Sequence, residues 1–183
     1  MPILAKEPAC YPADLFQTAV PSAQDRWWVF YTRPRSEKTI ARHLRAKNIS
    51  YFLPLYKKYS KPRDRVLVSW NPVFPSYIFV FGSREARLAA IKTNLTVHEI
   101  IVHDQDEFHQ DLANIYVVQE SHLPYYPEHK LQPGANVTVT AGPLMGLSGR
   151  VSSWLSPLRL IVEVRLLQRA VCVELEPWMV SLS

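Results

Sequence analysis

The stretch Pro72-Val73-Phe74-Pro75-Ser76-Tyr77-Ile78-Phe79-Val80-Phe81 decides the fold of the first part of the chain. Each proline fixes its own φ and pushes the residue before it toward extended backbone, and β-branched and aromatic residues follow, so the pattern predicts a strand. Side chains alternate between the two faces of a strand, which puts Tyr77, Phe79 and Phe81 on the same face. The other face can join a core, and the aromatic face predicts a protein partner.

Strands and helices alternate irregularly around this strand. An apolar strand over residues 26–32 and an amphipathic helix come before it, and a charged hairpin with its turn at 61–64 leads into it. A short helix, a strand over 97–102 and a helix over 104–120 follow. This order predicts an α+β domain in which helices flank a mostly antiparallel sheet.

The remaining segments set the expected domain boundaries. Residues 1–24 are interrupted by prolines and lack a basic start, so we expect a flexible N-terminal extension and no signal peptide. Spaced prolines mark residues 123–131 as a linker between a domain at 25–122 and a second one at 132–183. Five short strands in the second domain predict a small β-barrel.

The net charge of +5 is distributed unevenly along the chain. Between Arg26 and Arg65 there are twelve Lys or Arg and two acidic residues, whereas between Arg84 and Glu128 there are three basic and eight acidic residues. Such a separation of basic and acidic residues indicates that a polyanionic partner binds one side of the molecule. The affinity for that partner should fall as the salt concentration rises. A solvated basic face is the alternative.

Several function classes are excluded. No apolar run reaches the roughly 18 residues of a membrane span, and Cys10 and Cys172 alone give neither a disulfide framework nor a thiolate metal site. The spacing of His98, His103 and His109 matches no metal-ligand pattern. No phosphate-binding glycine loop, nucleophile elbow or pair of catalytic acids is present. We therefore expect no enzyme activity, no cofactor, no metal and no membrane contact.

Residues 134–151 resemble a KOW motif. The glycines permit positive φ or close backbone approach at a tight corner, and the valines fill the barrel. The residues with these structural roles are Val137, Val139, Gly142, Pro143, Gly146, Gly149 and Val151.

The first domain resembles the N-terminal domain of NusG throughout, and its layout is most similar to the specialised RfaH-like branch. The resemblance rests on Trp27-Trp28-Val29-Phe30-Tyr31, His43-Leu44, Phe52-Leu53-Pro54 and the aromatic strand, and with the KOW motif it covers about residues 26–183. It implies an N-terminal sheet flanked by helices followed by an SH3-like five-stranded barrel. It also implies a monomeric bacterial factor for transcription elongation or antitermination, cytoplasmic and nucleoid-associated.

In that family an apolar patch of the N-terminal domain binds the clamp helices of the largest RNA polymerase subunit. Aromatic side chains commonly dominate binding energy in such patches. Each of the matching residues could instead fill the domain core. They are Tyr31, Phe74, Pro75, Tyr77 and Phe79, with Phe108, Leu112 and Ile115 as neighbours.

The resemblance also implies contact with nontemplate or upstream DNA, in which phosphate contacts position the protein and base-edge contacts give preference. Solvated charge is the alternative. The family's second polymerase anchor, a short polar motif, is replaced here by Arg87-Leu88-Ala89. The implied DNA-contacting residues are Arg33, Arg35, Ser36, Lys38, Arg42, His43, Lys57, Lys58, Lys61, Arg63, Arg65 and Asn94.

KOW barrels of the family recruit a ribosomal small-subunit protein or a termination factor. The exposed rim expected for this contact is Leu144, Met145 and Leu147. Alternating valines between Val162 and Val173 favour a stable barrel over a switch to helices. The competing function is a ribosome-associated protein that binds RNA through the KOW barrel.

Overall fold

The computed structural model describes residues 7–60, 67–128, 134–153 and 158–182. It forms two compact units, Met1–Asp106 and Glu107–Ser183. Within the described ranges, no helix is long and apolar enough to cross a membrane.

The first unit is built on a five-stranded antiparallel sheet and a separate two-stranded hairpin. Its elements are β1 (Cys10–Tyr11), α1 (Leu15–Thr18), β2 (Arg26–Thr32), α2 (Glu37–Ala46), β3 (Ser50–Phe52), β4 (Leu55–Ser60), β5 (Leu67–Pro72), β6 (Tyr77–Gly82), α3 (Arg84–Ile91) and β7 (Thr96–Ile100). The sheet order is β1-β3-β6-β2-β7, and β4 pairs with β5. The aromatic strand β6 therefore lies at the centre of the sheet.

The stretch from Pro72 to Phe81 is not one continuous strand. Pro72 ends β5, a turn follows in which Ser76 has a φ of 64°, and β6 begins at Tyr77. The amide of Tyr77 donates to the carbonyl oxygen of Phe74 (3.2 Å) and closes the turn. The prolines therefore do not open a single strand as the pattern predicts, because the second proline belongs to a turn.

One face of the sheet forms a core with α2 and α3. Ile78 and Val80 of β6 are fully buried there in a cluster with Ile40 and Leu44 of α2 and Ala90 of α3. Burial of an aliphatic side chain of this size contributes about 1.5–3 kcal/mol, so this layer holds the helices on the sheet. The other face of β6 carries its aromatic residues.

Part of the N-terminal segment is ordered, which corrects the expectation of a flexible extension over 1–24. Strand β1 extends the sheet at β3, and the rings of Tyr11 and Tyr51 stack at 6.1 Å. The Tyr51 hydroxyl donates to the carbonyl oxygen of Pro8 (3.2 Å), and burial raises its pKa to about 12. Leu15 is also buried. A two-residue strand is stabilised by non-local pairing, which the composition of the segment does not reveal.

The second unit contains a long helix and a six-stranded antiparallel sheet. The elements are α4 (Gln105–Glu120), whose first two residues precede the unit boundary, β8 (Tyr125–Glu128), β9 (Ala135–Val139), β10 (Ser148–Ser153), β11 (Leu158–Val164), β12 (Arg169–Leu175) and β13 (Val180–Leu182). Their order is β13-β9-β10-β11-β12-β8. The α+β class, with a helix-flanked antiparallel sheet followed by a C-terminal sheet of strands, is confirmed.

Strand β8 lies within residues 123–131, where a linker is expected. It pairs with β12 so that Pro127 faces Val171 and Tyr126 faces Cys172. Proline lacks a backbone donor and is tolerated on edge strands, and β8 is the edge of its sheet. Residues 129–131 of the expected linker lie outside the described residues.

Candidate functional site

Three half-buried or exposed rings form a row across β6, β2 and β7. The registers place Tyr31 opposite both Tyr77 and His98. The Tyr31 ring meets the Tyr77 ring edge to face with centroids 5.3 Å apart, and it stacks on the His98 ring at 4.9 Å. We call these three residues the ring row. It brings together two of the predicted contact residues and adds His98.

Two other predicted contact residues of the first unit are buried. Phe74 is 2% exposed and Phe79 is 0% exposed, with their rings 5.9 Å apart. The ring of Phe52 lies 6.3 Å from that of Phe79. The expectation of an exposed aromatic face is therefore wrong for Phe74 and Phe79. Pro75, in the turn before β6, is exposed.

The predicted neighbours on α4 are buried as well. Phe108, Leu112 and Ile115 are each at most 2% exposed. On the same helix, the buried carboxylate of Asp111 accepts from the backbone amide of Arg165 (2.9 Å) and from its guanidinium (2.7 Å). This ion pair, between two residues of the second unit, neutralises a charge that would be costly to bury alone.

The basic residues predicted to contact DNA differ in the interactions that their side chains make within the first unit. Arg33 and Arg35 are exposed at the turn between β2 and α2, and Arg35 has a φ of 63°. Lys38 donates through Nζ to the carbonyl oxygen of Trp70 (2.6 Å), and Arg42 pairs with Glu7 (2.8 Å). The turn arginines therefore present charge to solvent, whereas Lys38 and Arg42 also have partners within the first unit.

The other predicted DNA-contacting residues are scattered. His43 and Asn94 are exposed, and Ser36 is half-buried. Lys57 and Lys58 are exposed on the hairpin, with the Lys57 ammonium 4.9 Å from the Tyr59 ring centroid. Three further residues, Lys61, Arg63 and Arg65, lie outside the described residues.

The KOW-like segment forms a tight corner between β9 and β10. Gly142 and Gly146 have φ values of 84° and 90°. A Cβ at Gly149 would lie 2.6 Å from the carbonyl oxygen of Ile161, so the backbones approach too closely for any side chain. The three valines of the motif, Val137, Val139 and Val151, are buried, and Pro143 is exposed.

The expected apolar rim on this corner is reduced to one residue. Leu144 is 0% and Leu147 6% exposed, so the expectation that they are exposed is wrong. Both pack inward because the corner folds back on the sheet, with the Gly146 amide donating to the carbonyl oxygen of Val139 (2.8 Å). Met145 points outward and is 73% exposed.

Sequence reasoning missed a cluster at the start of β2. The guanidinium carbons of Arg26 and Arg87 lie 5.8 Å and 5.5 Å from the ring centroid of Trp28, which are cation–π distances. Arg87 also pairs with Glu99 (2.7 Å). The two-residue spacing of Arg26 and Trp28 on one strand face could have predicted part of this cluster, but the partner from α3 is non-local.

The described residues contain no group of three or more His, Cys, Asp or Glu side chains that could hold a metal ion. The ring row and the turn arginines offer flat aromatic rings and positive charge, which suits binding.

Comparison with known proteins shows a match to a family model and similarity to solved structures. Residues 25–114 match the family model described as transcription termination factor NusG. Among solved structures, the chain is similar to NusG of Thermotoga maritima, in a structure titled for its domain interaction. The two are 16% identical, with 86% of this chain and 97% of that chain covered and a TM-score of 0.48. No curated protein sequence gives a significant match.

Proposed function

Because residues 25–114 match the family model described as transcription termination factor NusG, we propose that the chain is a NusG-type elongation and antitermination factor that binds the clamp helices of the largest RNA polymerase subunit. It suppresses pausing or termination without catalysing a reaction. It acts in the bacterial cytoplasm, at the nucleoid, as a monomer. The observation that carries this proposal is the ring row, whose Tyr31, Tyr77 and His98 are only partly covered in the first unit.

The ring row supports a contact surface for physical reasons. Tyrosine has a large apolar ring and a polar hydroxyl, so it can be exposed to water in the free protein. Covering the ring with a partner makes the free energy of binding more favourable. Where such a residue is a hot spot of an interface, its truncation costs about 2 kcal/mol or more. Pro75 is exposed in the turn two residues before Tyr77, and its fixed φ means that little backbone entropy would be lost if a partner contacted it.

DNA contact is the second part of the proposal, and Arg33 and Arg35 are its best-supported residues. Both are exposed, and they follow directly on the strand that carries Tyr31. We expect the double reversal R33E/R35E to weaken binding to a single-stranded nontemplate oligonucleotide and to reduce the slope of log affinity against log salt by roughly 0.7 for each phosphate interaction that is removed. The comparison variant is R42E, which is expected to have a smaller effect because Arg42 already pairs with Glu7.

An unchanged salt slope in the R33E/R35E variant would contradict the assignment of these residues to DNA. A loss of affinity in R42E as large as that in R33E/R35E would contradict the ranking of the turn arginines above Arg42.

Partner recruitment by the second unit is the third part. Met145 and Trp178 are exposed by 73% and 66%, and both residue types are suited to protein contacts. We propose that this surface binds a ribosomal small-subunit protein or a termination factor. The remaining predicted rim residues, Leu144 and Leu147, support the corner from inside.

The proposal is tested by co-purification with the core RNA polymerase of the source bacterium. We expect the full chain to elute with polymerase in gel filtration and not to sediment with purified ribosomes. Sedimentation with ribosomes in the absence of polymerase, combined with separate elution from polymerase, would favour the competing function of an RNA-binding ribosomal factor.

A further inference from the structure

An open pocket of about 500 Å³ lies on the first unit where β2 begins, next to α3 and β7. Three arginines, a tryptophan and one acidic residue line it, together with two residues that precede β2. We call it the arginine pocket, and its defining residues are Arg26, Trp28, Arg84, Arg87 and Glu99. The excess of guanidinium groups indicates an anionic ligand.

The strand registers put these side chains on one face of the sheet. Arg26 and Trp28 are two residues apart on β2, and Glu99 of β7 lies opposite Phe30, two residues further along β2. Helix α3 packs on this face and supplies the other two arginines. The ring row lies on the opposite face, because Tyr31 follows Phe30 and side chains alternate along a strand. A ligand in the arginine pocket therefore leaves the ring row uncovered.

Trp28 holds two of the guanidinium groups in place. Its indole Nε1 donates to the carbonyl oxygen of Gly82 (2.9 Å), which fixes the ring at the side of the pocket. The guanidinium carbons of Arg26 and Arg87 lie 5.8 Å and 5.5 Å from the ring centroid, where cation–π attraction acts on both. The five N–H donors of a guanidinium lie in its plane, so attraction to a π face does not use them. Both groups are therefore positioned while most of their donors stay available to a ligand.

The positive charge of the pocket is only partly neutralised. Glu99 accepts from Nε of Arg87 (2.7 Å), and this bond uses one of the five donors of that guanidinium. Arg26 and Arg84 form no salt bridge with any residue that the structure describes. Glu85, next to Arg84 in the chain, is exposed and is not part of the pocket lining. Three guanidinium groups and one carboxylate leave an excess of two positive charges in the pocket.

The number of arginines favours a phosphate over a carboxylate as the ligand. Arginine pairs with both groups through parallel N–H donors. A carboxylate carries one negative charge and two oxygens, so it suits one guanidinium. A phosphate monoester carries a charge of about −1.5 to −2 at neutral pH and has three terminal oxygens. It therefore matches both the three guanidinium groups and the excess charge of the pocket.

We propose that the arginine pocket binds the dianionic phosphate group of a small molecule. Arg26, Arg84 and Arg87 contact the phosphate oxygens, and Glu99 keeps the Arg87 side chain directed toward the pocket. Inorganic phosphate, pyrophosphate and a nucleoside monophosphate all present this chemistry. The site is separate from the proposed polymerase and DNA contacts, because it shares no residue with them and lies on the face opposite the ring row.

Isothermal titration calorimetry of the full chain measures the affinity for pyrophosphate, inorganic phosphate and adenosine monophosphate at neutral pH and low salt. We expect all three to bind at one site, and their ranking shows whether the pocket prefers an inorganic or a nucleoside phosphate. Succinate, a dianion with two carboxylates, is the ligand control. It is expected to bind about tenfold more weakly than pyrophosphate, which corresponds to the loss of one hydrogen bond between charged groups. In NMR spectra of the ¹⁵N-labelled chain, bound phosphate should shift the indole N–H signal of Trp28, which is identified by its absence in W28F.

Two variants with opposite expected effects locate the site. R84Q removes an exposed guanidinium, so it is expected to weaken pyrophosphate binding about tenfold. E99Q removes the negative charge beside the phosphate, while its amide oxygen can still accept from Arg87. It is expected to strengthen binding about fivefold, the effect of one unit charge a few Å away in water. The matched control R45Q makes the same change of charge on α2, outside the pocket, and should change the affinity little. A loss of structure would weaken binding in both R84Q and E99Q.

Absence of saturable binding of all three phosphates to the unaltered chain would overturn this inference. Weakening by R45Q as large as that by R84Q would also overturn it, because binding would then follow the overall charge. Succinate binding as tight as that of pyrophosphate would make the pocket a carboxylate site. Displacement of pyrophosphate by an oligothymidylate without a terminal phosphate would assign the pocket to the DNA backbone and refute a small-molecule ligand. None of these measurements involves polymerase, so they test the pocket independently of the proposed function.

Discussion

Comparing Tyr77→Ala with Phe79→Ala distinguishes a contact residue from a core residue on the same strand. Tyr77 belongs to the proposed contact surface, whereas Phe79, two positions further along β6, is buried. Tyr77 is half-buried, and its edge-to-face pair with Tyr31 contributes about 0.5–1.5 kcal/mol beyond area burial. We expect Tyr77→Ala to lower the free energy of unfolding by less than about 2 kcal/mol, which leaves a domain of ordinary stability folded. Phe79→Ala, at a fully buried site, is expected to cost about 3–5 kcal/mol.

Urea unfolding measures the stability of both variants, and biolayer interferometry measures their affinity for core RNA polymerase. Tyr77→Ala is expected to weaken polymerase binding by about 2 kcal/mol, roughly thirtyfold in Kd. Phe79→Ala, corrected for its folded fraction, should change the Kd much less. The assignment of Tyr77 to the surface is refuted if Tyr77→Ala loses as much stability as Phe79→Ala, or if it binds polymerase as tightly as the unaltered chain.

Three further predictions concern the second unit. Gly149→Ala is expected to destabilise it by about 1–3 kcal/mol in thermal or urea unfolding, because the new Cβ would overlap a backbone oxygen; an unchanged midpoint would contradict the close approach. Leu144→Ala should cost about 2–5 kcal/mol, whereas Met145→Ala should change stability little; equal effects would refute the assignment of one to the core and one to the surface. Burial raises the pKa of the Cys172 thiol, so we expect it to resist a disulfide reagent at pH 8 until urea unfolds the chain, and rapid labelling of the folded chain would count against this.

The sequence predicted the elements whose signals are local. The helix of residues 104–120 is observed as Gln105–Glu120, and the short helix expected before it is observed as α3, where Ser83 accepts from the amide of Glu85. Strand β1 and strand β8 were missed because each depends on a distant partner. In β8, Pro127 suggested a linker, but an edge strand tolerates proline.

The candidate site was predicted less completely than the fold. Alternation placed Tyr77 and Phe79 on one face but could not show that Phe79 is covered and Tyr77 only partly. His98 joins the ring row through the pairing of β7 with β2, and nothing in its own neighbourhood of the sequence indicates that register.

Single-round transcription by the cognate RNA polymerase on a template with a strong pause and a downstream terminator tests the proposed function most directly. We predict that the full chain shortens the pause or increases read-through, and that Tyr77→Ala, although folded, loses most of this effect. The proposed function is contradicted if the unaltered chain changes neither pausing nor termination, or if Tyr77→Ala retains the full effect.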